Sequence, residues 1–294
     1  MTRACLRRLA GLAFVTMVLA PAAFPKAAPS VLRLATTTST DDSGLLRAIL
    51  PAFEGNCNCR VDVVAVGTGQ ALEIGRRGDA DVVLVHARKQ EDAFVAEGHA
   101  RERHDVMYND FVIVGPKNDP AKIRGTALAR DAFAKIAKAE VPFASRGDKS
   151  GTETAERAIW AALGYSPSGR WYRSLGQGMG ETLFTSNEMG AYTLSDRGTW
   201  LSMRERLTAL DLLVGGKTIA ENQDLTLRNR YGVMAVSPDK HPGVNFDLAT
   251  RFVQWLISPG TQRTIGEFGR QRFGQPLFYP DAHESKMQLP PSPE

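Results

Sequence analysis

The feature that most constrains this chain is a repeated unit: a short apolar strand, a polar turn, then a helix. Val31–Ala35 is apolar and runs into Thr36-Thr37-Thr38-Ser39-Thr40, and a helical pattern follows from Ser43 to about Phe53. Arg60–Val66 runs into Gly67-Thr68-Gly69-Gln70 and a helical stretch to Arg77, and Asp81–His86 is followed by Arg88–Gly98. Such alternation predicts an α/β lobe built on a mostly parallel sheet. Ligands of such sheets bind beyond the carboxyl ends of the strands, where the first two polar turns fall. Hydroxyls and the free N–H groups of a helix start can hold an anion there without a full positive charge.

A second unit follows. Tyr108–Gly115 is a strongly apolar strand, broken by Pro116-Lys117-Asn118-Asp119-Pro120. Beyond it lie a helical stretch at Ala127–Ala139, the loop Ser145–Gly151 and a long helix Thr152–Leu163 closed by Gly164. Gly176-Gln177-Gly178-Met179-Gly180 opens another helix, and Ala191–Leu194 reads as a strand before Ser195-Asp196-Arg197-Gly198. Tyr231–Val236 is again strand-like, and Phe246–Ile257 is a helix with Phe252, Trp255 and Leu256 on one side. Met179, Met189 and Met234 read as packing residues. No flexible linker separates the units, so two lobes joined by two strands are expected, Tyr108–Val114 outward and Tyr231–Val236 back. Residues 29–113 and 229–280 form lobe 1 in this reading and 114–228 lobe 2. The polar, Pro-rich stretch 281–294 is a mobile tail.

The N-terminus differs in kind. Arg3, Arg7 and Arg8 precede the apolar run Leu9–Leu19, with Ala20, Ala22 and Ala23 after it. This is the three-part pattern of an export signal, too short for a comfortable membrane span, and residues 1–28 are assigned to it. The predicted location is therefore the periplasm. The full chain carries 36 Lys and Arg against 32 Asp and Glu. Arg3, Arg7, Arg8 and Lys26 leave with the signal, so the mature chain is balanced, which gives no support for nucleic-acid binding. Anion selectivity must be built locally. Cys57 and Cys59, one residue apart, are read either as a tight local disulfide or as two thiols.

The second strong signal is Ser145-Arg146-Gly147-Asp148-Lys149-Ser150-Gly151-Thr152-Glu153. Ser150 and Glu153 stand in capping-box register, the glycines let backbone N–H groups turn toward a ligand, and Arg146 adds directed donors. It is not a Walker loop, because the Gly-Lys-Ser/Thr order is missing. Each stretch alone also reads as an ordinary cap or turn: a capped helix at Ser150, a tight turn at Gly67-Thr68-Gly69, a helix N-cap at Ser195. Together, at strand ends and helix starts in two units, they describe a cleft around one small anion. Asp41, Asp42 and Asp148 would repel an anion unless they cap helices or pair with Arg47 or Arg146. Catalytic motifs are weak. Ser237-Pro238-Asp239-Lys240 matches Ser-x-x-Lys without its partner motifs, and His86 follows a strand and could face the cleft, although a lone His is more often structural.

Thr36–Leu46, Val66–Leu72, Ser145–Thr152 and Leu194–Thr199 resemble the substrate-binding component of bacterial tungstate ABC transporters, over nearly the whole mature chain. The resemblance implies a type II periplasmic-binding-protein fold of class α/β, two lobes closing on a tetrahedral oxyanion. It implies an anion site of Thr37, Thr38, Ser39, Thr68, Arg146, Ser150, Thr152 and Ser195, with no cofactor and no resident metal. It also implies a non-enzymatic monomer that delivers tungstate to a membrane permease. Molybdate, sulfate and phosphate are the nearest alternatives, and tungstate and molybdate share almost the same size, shape and charge. A carboxylate facing the cleft would favour phosphate, which can donate a hydrogen bond. An exported serine hydrolase would need a base beside its nucleophile, and a sensor feeding a signalling receptor could use the same pocket.

Overall fold

The structure, a computed structural model, describes residues 29–282, so the expected export signal and most of the expected tail lie outside the described residues. Strand β1 (Ser30–Thr37) leads through a short helix α1 (Thr38–Asp42) into α2 (Leu45–Cys57), followed by β2 (Cys59–Val66), α3 (Thr68–Arg76), β3 (Val82–Val85) and α4 (Arg88–Ala96). Strand β1 pairs with β2 on one side and β3 on the other, both parallel. Leu32, Leu34, Val82 and Leu84 point to one face, covered by Leu46, Ile49 and Phe53 of α2. Ala35, Val83 and Val85 point to the other, covered by Ala71 and Leu72 of α3 and Phe94 of α4. Burial on both faces is what makes these strands read as apolar runs.

Strand β4 (His104–Pro116) joins the lobes. Its first half, His104–Asp110, pairs with β9 (Arg228–Ala235), while Phe111–Pro116 pairs with β7 (Thr193–Asp196) and β8 (Leu210–Val214) of the second lobe. The change of partner falls between Asp110 and Phe111, opposite Arg228. The second lobe also holds α5 (Ala129–Ala139), β5 (Phe143–Ser145), α6 (Gly151–Ala162), β6 (Tyr172–Ser174), α7 (Met179–Met189) and α8 (Arg197–Met203). Its core gathers Phe133, Ile136, Phe143, Trp160 and Tyr192. After β9 the chain finishes lobe 1 with α9 (Phe246–Leu256), α10 (Pro259–Glu267), α11 (Arg270–Phe273) and β10 (Tyr279–Pro280). Among the described residues no helix is long and apolar enough to cross a membrane.

Several expectations are corrected. The lobe 1 sheet is mixed: β9 leaves lobe 2 in the direction opposite to β4 and therefore pairs antiparallel with both β4 and β3. The Thr36–Thr40 run is not a loop. Thr36 and Thr37 complete β1, and Thr37 Oγ1 accepts from Thr40 N–H at 3.3 Å to cap a turn of helix. Gly44, at φ 81°, breaks the path, so the following helix starts at Leu45. Strand β7 extends to Asp196 because Ser195 and Asp196 pair with Val112 and Phe111. Met189 is exposed, whereas Met179 and Met234 are core. Cys57 and Cys59 form a disulfide where α2 turns into β2. The first tail residues are held: Asp281 pairs with Arg230 at 2.9 Å, and Ala282 N–H donates to Gln262.

Candidate anion-binding site

The carboxyl ends of β1 and β2 set the lobe 1 wall. Thr37 stands opposite Val66 in the parallel register, so the starts of α1 and α3 lie side by side. Thr68 is the first residue of α3; its hydroxyl is buried and has no hydrogen-bond partner among the described residues. A buried hydroxyl without a partner costs about 1–3 kcal/mol, so such an atom calls for a partner from outside the chain, a water or a ligand. Thr37 Oγ1, by contrast, is committed to Ser39 Oγ at 3.1 Å and Thr40 Oγ1 at 2.6 Å.

The lobe 2 wall is the turn from β5 into α6. Ser150 caps α6 by accepting from Glu153 N–H at 3.3 Å. The Glu153 carboxylate reaches back to the N–H of Lys149, one residue before the expected capping-box partner. Arg146 is 7% exposed. Its Nη1 donates to Thr152 Oγ1 at 3.3 Å, its Nη2 to Asp148 at 2.5 Å, and its Nε is buried without a partner. The first N–H groups of α3 and α6 have no partner within their own helices, and Thr152 at the start of α6 lines the cleft.

The walls meet at His86. Its Nε2 lies 3.3 Å from Ser39 Oγ, and its Nδ1 lies 2.9 Å from Asn229 Oδ1. Asn229 Nδ2 in turn donates to Asn109 Oδ1, which fixes Oδ1 toward the ring and makes His86 Nδ1 the donor. Burial pulls the His86 pKa down to about 4, so the ring is neutral near pH 7. The ring rests on Gly151 of the other lobe, where any Cβ would collide with it. Glycine at 151 is thus what lets α6 close on lobe 1.

Between the walls is a cavity of about 550 Å³. Thr38, Ser39, Arg146 and Thr152 line it; Thr37, Thr68, Ser150 and Ser195 do not. Thr37 and Ser150 lie beneath it as helix caps. Ser195 is fully buried in β7 with its hydroxyl donated to Asp196 O, because the longer strand moves the helix cap one residue on, to Asp196. Arg197 turns away from the cavity, making a buried bidentate pair with Asp110 of β4 at 2.7 and 2.6 Å. Four carboxylates also line the cavity: Asp42, Asp148, Glu181 and Asp196. Asp148 pairs with Arg146 as expected, but Asp42 caps no helix N-terminus. Its pKa is raised, first by burial and then by the neighbouring Asp41. A concavity of about 680 Å³ beside Arg204, Gly215 and Lys217 holds none of the sequence-predicted residues.

Against known proteins, residues 25–259 match the model of the PBP superfamily domain. The tungstate-binding protein TupA of Peptoclostridium acidaminophilum is 48% identical over 252 residues, 85% of either chain. The chain belongs to the TupA family. Among solved structures, the tungstate-binding TupA of Desulfovibrio alaskensis G20 is 41% identical, with a TM-score of 0.76 over 86% of this chain and all of that one. A structure described as the tungstate ABC transporter from Geobacter sulfurreducens is 49% identical, with a TM-score of 0.72 over 81% of this chain and 98% of that one. The fold is that of a type II periplasmic binding protein, a substrate-binding architecture of two α/β lobes.

In this TupA-family chain, sequence reasoning missed Asn109, Asn229 and Tyr231, polar residues on the two crossing strands that reach the cavity. For Asn109 the available signal was a polar residue within a strongly apolar strand; Asn229, between Arg228 and Arg230, carried no such signal. His86, whose place after a strand could aim it at the cleft although a lone His is more often structural, does line the cavity.

Proposed function

We propose that this chain captures tungstate outside the cytoplasm and hands it to an ABC transporter permease. One observation carries the reading: the cavity is lined from both lobes, and the buried Nε of Arg146 on its lobe 2 side has no hydrogen-bond partner among the described residues. Ser39, Thr38 and Thr152 add hydroxyls, and the starts of α3 and α6 add N–H groups. Each charge-assisted hydrogen bond contributes roughly 1.5–3 kcal/mol, so several can offset the dehydration of a divalent oxyanion. Contacts from both lobes to one anion favour the closed arrangement. The export pattern of residues 1–28 supports a periplasmic place of action, and the capture form is a monomer, to be checked by size-exclusion chromatography.

The test is a thermal-shift panel on the mature protein with tungstate, molybdate, sulfate and phosphate. A ligand that binds only the folded chain at a hundred times its Kd adds about 2.7 kcal/mol of stability. Tungstate and molybdate should both raise the melting temperature, with sulfate weaker. Silence from all four would end the oxyanion reading. Asp42 and Glu181 at the cavity favour a second reading, a protonated oxyanion such as hydrogen phosphate. A larger shift with phosphate than with tungstate would select it.

A further inference from the structure

Among the described residues Arg146 is the only Lys or Arg lining the cavity, and it is already engaged. Its side chain is 8% exposed, and an unpaired guanidinium at that depth would carry a heavy desolvation cost. Asp148 offsets it. One carboxylate oxygen accepts from Arg146 Nη2 at 2.5 Å, and the other accepts from Ser150 N–H at 3.1 Å. Nε and Nη2 form one edge of the planar group, the edge that grips two oxygens side by side. Asp148 covers the Nη2 half, and Nε is left without a partner.

The backbone enforces this arrangement. Gly147 and Lys149 flank Asp148 at φ 63° and 60°, both left-handed, and for lysine that conformation is unfavourable unless its surroundings impose it. The bond from Lys149 N–H to Glu153 and the Ser150 cap pin the far end of the turn. The chain is bent so that Asp148 folds back on the residue two before it.

We propose that Asp148 is a built-in stand-in for the anion, an affinity-setting residue from which an incoming oxyanion must take the Nε–Nη2 edge of Arg146. The inference rests on the anion-capture reading of the cleft. It separates cleanly from a role in merely positioning Arg146. A positioning residue assists binding, so neutralising it weakens the complex. A stand-in opposes binding, so neutralising it tightens the complex and weakens the fold without anion, where Arg146 loses its counter-charge. The opposition also has a use, because a site for a dianion must let go when it reaches the permease.

Asp148→Asn removes the charge and keeps an oxygen to accept from Ser150 N–H. Melting temperature without anion, tungstate affinity by competition titration and tungstate dissociation rate are measured on mature wild type and variant. The expected result is a lower melting temperature without anion, at least about tenfold tighter tungstate binding and a slower off-rate. Asp148→Glu, which keeps the charge, should fall between wild type and the asparagine variant. Unchanged or weaker tungstate binding by folded Asp148→Asn overturns the proposal; if that chain does not fold, Asp148→Ser is read by the same criterion. The wild-type titration keeps the two readings apart. A wild type that ignores tungstate refutes the capture reading itself, whereas a wild type that binds beside a variant that does not tighten refutes only the stand-in.

Discussion

Lobe 1 offers the cleft neutral donors, the hydroxyls of Thr38 and Ser39, beside the uncharged ring of His86 and the carboxylate of Asp42. Lobe 2 meets it with Arg146, already paired to Asp148, and with Thr152 beside the guanidinium. The neutral half can only direct. Its donors are fixed at helix starts and strand ends, so they reward the right shape and give little long-range pull. The charged half supplies strength, but its charge is compensated on the spot, and Asp42, Glu181 and Asp196 add negative charge around the same cavity. Neither half attracts anions from a distance, so discrimination falls to geometry at contact.

The sharpest way to break this division is to remove its charge. Arg146→Ala should lower tungstate affinity by about a hundredfold or more in calorimetry, the worth of two charge-assisted hydrogen bonds. A loss of only a few-fold would move the strength of the site elsewhere.

His86 tests the neutral half through pH. Its pKa is about 4 in the fold against 6.5 unfolded. Below pH 6.5 the unfolded chain takes up a proton that the folded chain refuses. The stability gained by keeping the ring neutral is therefore complete above 6.5 and is lost as pH falls toward 4, about 3 kcal/mol in all. His86→Gln should flatten the fall of melting temperature between pH 6.5 and 4 relative to wild type. Parallel curves would mean that the ring is not held neutral.

Thr68→Val sets binding against stability. Tungstate affinity should fall about tenfold, while the chain without anion becomes more stable by up to about 1 kcal/mol, because an unsatisfied hydroxyl is removed. Thr36→Val should do the reverse, costing about 1 kcal/mol of stability with little change in affinity, since Thr36 Oγ1 donates to Leu84 O at 2.7 Å. The smallest effect belongs to Ser195→Ala. With its hydroxyl turned to the backbone inside β7, tungstate affinity should change less than about twofold, against the roughly tenfold of a lost contact.

The alternation of strand and helix was legible because each element writes its period into nearby residues: Leu45, Leu46, Ile49, Leu50 and Phe53 mark one face of α2 within a few turns. The cap at Ser150 was legible for the same reason, since its partner is three residues away. Ser195 was misplaced because the end of β7 is decided by pairing with β4, more than eighty residues earlier in the chain. The parallel sheet was misjudged because the direction of β9 follows from its return out of lobe 2, a property of the whole path.

Sequence alone determined the parts of this protein that depend on neighbours along the chain: most of the elements, the hydroxyl-rich helix starts, the arginine before α6 and the balanced charge of residues 29–294. Only the tertiary structure decided which of these groups are free to bind. The hydroxyls of Thr37 and Thr68 look alike in sequence, yet one is consumed by a cap and the other is buried without a partner. The Arg146–Asp148 pair is expected from the spacing of the two residues, but only the fold shows that it is buried and that it leaves Arg146 Nε without a partner among the described residues. A hydrogen-bonding group is defined by what already occupies it, and for a folded chain that is settled by contacts between residues far apart in sequence.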